Sequence, residues 1–384
     1  FAFAYGSVAF PQHDRPTAGD QLDLILVVED PIRWHSENLA QNPSHYSALA
    51  KCLSSRANHF SSILTTNFPG PRVYYNPLVK WYDPARREML LLKYGVISLR
   101  DLFEDLLCWS HIYIAGRLHK PVLWIPILEC DQFNHELYNA QERNLRAALS
   151  FALLQLPISE RTVRQYDLFR TIVSISYDGD WRMIFGEDPK KIDRIITGDS
   201  RLSLFRQLYS NSLLHPTLAP LLTFPSKDSK DLNLLFSANS SDFVLPLLSH
   251  LPDRICIHAA QLAYPDSSST VTREILLRLP PEQRRRYLKQ STMRIVRASS
   301  IQQTMLGQTS REIYTRIEEH RKRVRRQPRD ARAYQSLIRD SALAEHVLDT
   351  GHSVDLDNLA ILRRGIKPYS ERLHAEAVEI AKEG

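Results

Sequence analysis

The chain opens on an unbroken apolar run, Phe1–Tyr5, closed by Gly6. A run this short and aromatic, stopped by glycine, predicts a buried strand ending in a turn. After a polar loop, Leu22–Val28 (LDLILVV) predicts a second strand, ended by Glu29, Asp30 and Pro31. Two strands flanking a polar loop make a sheet edge where the loop can hold a ligand. Farther along, Asn42–Phe60 reads as helix, Arg72–Tyr75 as strand, and Leu99–Trp109 has apolar residues at helical spacing. Val122–Leu128 reads as another strand. Asn134–Leu156 is helical, with Arg143 and Arg146 opposite an Ala/Leu face, and Pro157 ends it. Strands and helices alternating in this way predict an α+β or α/β first half.

The second half changes character. Ser226–Asp242 is rich in Ser, Asp, Asn and Lys and reads as a linker or surface loop. Residues 245–300 read as short helices with a basic face, and the chain closes on an amphipathic helix around Ser370–Lys382. The expected division is a domain over 1–200, a helical domain over 201–310, and a basic linker with a helical tail over 311–384.

Composition narrows the classes. The 384 residues are 43% hydrophobic and 24% charged, with 12 glycines and 22 prolines, which describes a globular chain of more than one domain. A net charge of +6 favours anionic partners, whether nucleic acid, nucleotide phosphates or an acidic lipid surface. Part of the excess lies in Arg284, Arg285, Arg286 and Lys289 and in Arg321, Lys322, Arg323, Arg325 and Arg326, and the ordinary reading of such runs is a solvated helix face or linker. Cys52, Cys108, Cys130 and Cys256 form no CxxC pair, so a structural zinc site is not expected and a reducing compartment is. No run approaches the roughly 20 apolar residues that span a bilayer, so contact with lipid is expected to be peripheral. The chain starts at Phe1, inside the first strand and without an initiator Met, so a targeting segment is neither implied nor excluded.

The chemistry centres on Gly6 and Ser7 after the first strand and on Asp23 at the start of the second. Polymerase-beta-type nucleotidyltransferases place a Gly-Ser turn against the triphosphate and carboxylates of the adjoining strand on Mg²⁺. In-line attack at an α-phosphate needs its charge neutralised and its attacking and leaving oxygens held. Taken alone, these residues are also those of an ordinary turn and strand start.

The surrounding strings say more. FAYGS at Phe3–Ser7, Leu22-Asp23-Leu24-Ile25, Trp34-His35-Ser36, Val73-Tyr74-Tyr75-Asn76-Pro77-Leu78, Lys93-Tyr94-Gly95-Val96-Ile97, Ala115-Gly116-Arg117-Leu118-His119-Lys120-Pro121-Val122, Ser176-Tyr177-Asp178-Gly179-Asp180-Trp181-Arg182-Met183, Gly186-Glu187-Asp188 and Arg297-Ala298-Ser299-Ser300-Ile301-Gln302-Gln303 follow in order across roughly residues 1–310. In that order they resemble the successive motifs of the mitochondrial translocator assembly and maintenance family. The resemblance implies a polymerase-beta-type nucleotidyltransferase domain followed by a mostly helical, winged-helix-like domain. It also implies an enzyme that makes CDP-diacylglycerol and diphosphate from CTP and phosphatidic acid, feeding cardiolipin synthesis. The place implied is the matrix side of the mitochondrial inner membrane, peripherally bound.

Carried over residue by residue, Gly6 and Ser7 match the phosphate-holding turn and Asp23 the Mg²⁺-binding carboxylate. The superfamily's second carboxylate stands two positions on, where strand alternation puts both on one face; here that position is Ile25. Asp180 and Asp20 are the candidates to replace it. Glu29 lies six residues from Asp23, about 20 Å along an extended strand, too far to share one ion. Lys93, Arg117, Lys120 and Arg182 are candidates to neutralise triphosphate or the phosphatidate headgroup, as surface exposure of Lys and Arg is the alternative. His35, beside Trp34, is a candidate contact for cytosine, against the reading of a buried Trp with a hydrogen-bonded His. Tyr75 and Asn76 are candidates to flank the ligand, against a simple turn before Pro77. Arg182, Glu187, Asp188 and Lys191 form a charged cluster that positions phosphate or starts a helix.

Basic helices from residue 282 onward would supply attraction to anionic lipid. Nucleic acid is not an expected partner. The rival readings are an RNA-directed nucleotidyltransferase and a non-catalytic mitochondrial assembly factor. From about Ala331, Ser341-Ala342-Leu343-Ala344-Glu345-His346, Gly351-His352-Ser353 and Arg372-Leu373-His374-Ala375-Glu376-Ala377 instead resemble the C-terminal part of GIY-YIG nuclease domains without their opening strands, which predicts a fused remnant or a gene-model join.

Overall fold

The structure, a computed structural model, describes residues 1–10, 21–46, 72–83, 87–125, 131–156, 162–180, 183, 190–223, 231–234, 240–265 and 272–310. Asp20, Arg182, Glu187, Asp188, residues 47–60 of the expected helix and the whole tail lie outside them. The first run is strand β1 (Ala2–Tyr5), buried at all four positions, and Gly6 turns it into a single helical turn, α1 (Gly6–Ala9). Strand β2 (Gln21–Val28) follows, and helix α2 (Pro31–Gln41) starts where the sequence suggested only a strand end. Asp30 caps α2 by accepting from the amides of Ile32 and Arg33, with Pro31 in the first turn where its missing N–H costs nothing.

Strands β3 (Tyr74–Asp83) and β4 (Glu88–Ser98) form a hairpin, longer than the four-residue strand expected there. With β5 (Leu123–Ile125) they complete a sheet in the order β3-β4-β2-β1-β5. The β2–β4 pair is parallel and the others antiparallel. Alternation along β2 sorts its side chains: Ile25 and Val27 join the main core, while Leu24, Leu26 and Val28 pack on the other face with Trp34, Val79 and Tyr94. Asp23 shares the Ile25 face.

Helix α3 (Leu99–Cys108) leads from β4, capped by Ser98, and α4 (Ile114–Leu118) follows a tight loop. The long α5 (Asp131–Leu154) packs against α3 and supplies much of the core through Leu145, Ala148, Leu149 and Ala152. A small antiparallel sheet of β6 (Thr162–Arg164), β7 (Leu222–Thr223) and β8 (Asp231–Leu234) lies beyond it. Between them run α6 (Gln165–Ser174), α7 (Lys191–Ile196) and α8 (Asp199–Leu213). The remaining described chain is helical: α9 (Ser241–His250), α10 (Asp253–Ala263), α11 (Thr272–Arg278) and α12 (Pro281–Ser310). The expected α+β class holds, and Phe1–Glu312 is one compact unit. No described helix is long and apolar enough to cross a membrane.

The basic start of α12 is put to internal use. Arg284 is buried, and its guanidinium donates to the carbonyls of Leu276, Leu277 and Leu279, the otherwise unpaired end of α11. Arg285 pairs with Glu282, and Lys289 lies 2.9 Å from Asp178.

Candidate active site

The site forms where β1 ends beside β2. Registration sets Tyr5 opposite Asp23, and Asp23 beside Lys93 of β4. Asp23 Oδ1 lies 3.3 Å from Lys93 Nζ. Its other oxygen faces the bend: a Cβ built on Gly6 would stand 3.1 Å from Asp23 Oδ2, and Gly6 has φ +85°, where a side chain is strained in any case. The carboxylate therefore faces the glycine turn. Ser7 follows in α1. Opposite Lys93 the hairpin bulges at Pro77 and Leu78, a device that recurs beside active sites because it re-aims neighbouring side chains. Tyr75 sits across from Gly95 on the Asp23 face, and Lys93 Nζ lies 5.1 Å from its ring centroid.

A buried carboxylate that sequence reasoning missed builds the next wall. Asp105, near the end of α3, accepts from the amides of His111 and Ile112 through Oδ1 and of Tyr113, Ile114 and Ala115 through Oδ2. Five amides fix the loop before α4, where Trp109 and Ile112 take left-handed backbone angles. Asn144 of α5 locks the other side: its Oδ1 accepts from Trp109 Nε1 and bonds His119 Nε2, and its Nδ2 donates to the Ala115 carbonyl. Both ends of α4 are thus held. Gly116 lets α4 approach the 176–180 turn, since a Cβ there would fall 2.4 Å from Ser176 Cβ.

This frame presents two cations. The Arg117 guanidinium lies 4.2 Å from the Tyr5 ring centroid and 5.2 Å from that of Tyr113. Lys120 donates to Ser176 Oγ at 2.9 Å and sits 4.7 Å from the Tyr177 ring. Burial above all, then Arg117 and Lys191, hold the Lys120 ammonium well below its ordinary 10.5. Tyr5, Gly6, Asp23, Arg117 and Lys120 line a cavity of about 420 Å³ that Lys191 and Arg194 of α7 and Arg201 of α8 complete. A smaller space of about 160 Å³ shares Asp23, Arg117 and Lys120 and adds Lys93 and the buried Asp180. Arg194 and Arg201 carried no sequence signal beyond charge; Lys191 was legible only as part of a charged cluster.

Two expected contacts stand elsewhere. Asn76 pairs with Tyr94 on the opposite sheet face and donates to its hydroxyl. His35 is fully buried on that side, its Nδ1 2.8 Å from the Tyr46 hydroxyl and its ring edge-on to Tyr74, and burial pushes it down to about 3. The structural reading of Trp34 and His35 accounts for this placement. Of the sequence candidates, Gly6, Asp23, Lys93, Arg117, Lys120 and Asp180 come together around the two cavities, and Tyr75 supports Lys93.

A carboxylate held against a glycine bend, at the edge of a cavity ringed by five cations and by Tyr5 and Tyr177, defines a protein equipped to hold a polyanionic phosphate ligand. The chain belongs to the family described as phosphatidate cytidylyltransferase, mitochondrial, whose family model matches residues 1–324. Curated relatives bearing that name include the mouse protein, 42% identical over 215 residues that cover 55% of this chain and 58% of the relative. The human protein is 40% identical over 220 residues, covering 55% and 43%. The Xenopus laevis protein is 34% identical over 310 residues, covering 80% and 84%. The chain thus spans about half the length of the mouse and human relatives and most of the frog one. The tail from 331 lies past the family match, and its nuclease-like reading gains no support.

Proposed function

We propose that this chain transfers the cytidylyl group of CTP to phosphatidic acid, giving CDP-diacylglycerol and diphosphate. The observation that carries this reading is the Asp23 carboxylate turned to the Gly6 bend at the mouth of the cationic cavity. The relatives' name supplies the substrates, and the cavity has the chemistry to hold them.

The donor set fits Mg²⁺. Asp23 and Asp180 offer hard carboxylate oxygens around one cavity, and magnesium takes one or two carboxylates with water and substrate phosphate making up the rest. An ion held there by Asp23 and Asp180 would supply charge neutralisation at the reacting phosphate. Lys93, 3.3 Å from Oδ1, orients Asp23. Arg117, Lys120, Lys191, Arg194 and Arg201 hold the triphosphate, and the leaving diphosphate departs against the same cations. The nucleophile is a phosphatidate oxygen, already ionised at neutral pH, so catalysis is positioning and charge stabilisation without a protein base. The fold reading that goes with this is a nucleotidyltransferase frame over 1–200 and a winged-helix-like region over 201–310. The setting is the matrix face of the mitochondrial inner membrane, where the product would enter cardiolipin synthesis.

Labelled CTP with phosphatidic acid and saturating Mg²⁺ tests the reaction: the native chain forms CDP-diacylglycerol, and Asp23→Asn falls by roughly a thousandfold, the scale of losing a principal electrostatic group. Full activity in Asp23→Asn removes the assignment.

A further inference from the structure

The strands that carry Tyr75 and Lys93 run on past the sheet. β2 pairs with Leu91–Ser98 of β4, whereas Trp81–Leu90, Tyr82–Met89 and Asp83–Glu88 pair within the hairpin, a ribbon reaching roughly 10 Å farther at about 3.3 Å per residue. Its side chains are not those of a solvated ribbon. Tyr82 is 53% exposed and Met89 60%, and they form a cross-strand pair on the face that bears Lys93. Trp81, 44% exposed, stands on the opposite face with Leu90, and Leu78, 62% exposed, occupies the bulge. Single exposed apolar residues are ordinary; four on one hairpin, whose described pairing beyond Leu91 is its own ladder, mark a contact.

The pattern selects the partner. A protein surface covers one face of a ribbon, while a lipid interface surrounds both, and this ribbon exposes Tyr82 and Met89 on one face and Trp81 on the other, short of the acidic Asp83–Glu88 pair at its end. Trp and Tyr are the residues that settle at headgroup level, with Met and Leu suited to the acyl boundary. Lys80 and Arg87 are exposed at its flanks, and over residues 80–89 three cations against two acids leave one net positive charge. In the basic start of α12, the other candidate for lipid, Arg284 is buried and Arg285 and Lys289 are already engaged in ion pairs with Glu282 and Asp178. We infer that the β3–β4 hairpin tip enters the interface of a phosphatidate-bearing bilayer. Met89 and Lys93 are four residues apart on one face of β4, roughly 13 Å, so the inserted tip sets the headgroup plane within reach of the site. This inference rests on phosphatidate being the substrate.

The test uses the full chain and vesicles of phosphatidylcholine containing phosphatidate. A Trp81→Ser, Tyr82→Ser, Met89→Ser variant, altering exposed side chains alone, is expected to float at least tenfold less, since roughly this much partitioning follows the buried apolar area. Turnover of vesicle phosphatidate falls with it, while turnover of a dissolved short-chain phosphatidate stays within about twofold, as surface substitutions allow. Acyl chains carrying bromine quench native fluorescence more than that of Trp81→Phe. A variant that floats like the native chain, or quenching equal in native and Trp81→Phe protein, overturns the inference. Native protein inert toward the short-chain substrate sinks the transferase reading instead, and flotation and quenching still judge the hairpin.

Discussion

Asp23 and Gly6 are fitted to one another: the place where a side chain at residue 6 would begin is 3.1 Å from the Asp23 carboxylate. Gly6→Ala is therefore expected to damage the site twice. At φ +85° an alanine costs about 1–2 kcal/mol of backbone strain. Its methyl also moves the carboxylate, and kcat is expected to fall at least tenfold, roughly the cost of a misplacement near 1 Å. Thermal melts and steady-state assays read the two effects separately; a variant with native kcat shows that the approach is incidental.

Lys120 gives the reaction a pH dependence with a definite sign. Its ammonium is held well below 10.5 by burial, Arg117 and Lys191, so it loses its proton as pH rises while an ordinary lysine would keep it. The charged form attracts triphosphate and is the one present at lower pH. KM for CTP is therefore expected to rise on the alkaline side well before pH 10.5, and Lys120→Arg, which stays charged, to move that limb to higher pH. Titration of KM from neutral pH upward checks it; a flat native profile rules it out.

How far the sequence disclosed this arrangement depends on the range of each interaction. The bend at Gly6, the strand of Asp23 and helices α3 and α5 follow from local punctuation and periodicity, and they stand close to where the pattern put them. Helix α2 was hidden because Asp30-Pro31 serves equally to end a strand and to cap a helix. Strand alternation would have separated Tyr75 from Asn76, although the bulge that reverses the alternation after Asn76 has no periodic signature. Asp105 could not be found by pattern, since it reads as one more polar position of an amphipathic helix until the chain folds back over it. Lys191, Arg194 and Arg201 reach the cavity from helices far along the chain, and only tertiary packing of α7 and α8 places them there.

Asp105 acts on the site through the loop it holds. Replacing it with Asn leaves an amide whose N–H₂ faces donors, so several of the five backbone N–H groups lose their acceptor. At about 1–3 kcal/mol for a buried group left unpaired, Asp105→Asn is expected to lower stability by several kcal/mol and to weaken CTP binding through the shifted Arg117. Denaturant melts with nucleotide titration test this. A stable variant that binds CTP normally shows the loop to be held by Asn144 alone.

Acid offers a final test of the core that frames the site. His119 bonds Asn144 beneath α4, and His35 bonds Tyr46 across the sheet; burial lowers both from 6.5 to about 3. The folded state keeps these rings neutral, while the unfolded chain takes up protons below pH 6.5. Stability contributed by the neutral rings is thus complete above pH 6.5 and drains as pH falls toward 3, with a slope approaching about 1.4 kcal/mol per pH unit for each histidine. Denaturant midpoints measured from pH 7.5 down to pH 4.5 should fall along that slope, and His119→Gln, which cannot take up a proton, should lessen it by the one histidine's share, up to about 1.4 kcal/mol per pH unit. Midpoints constant across the interval would mean that both rings take up protons in the folded protein too, and the neutral Asn144–His119 link that steadies Arg117 would have to be redrawn.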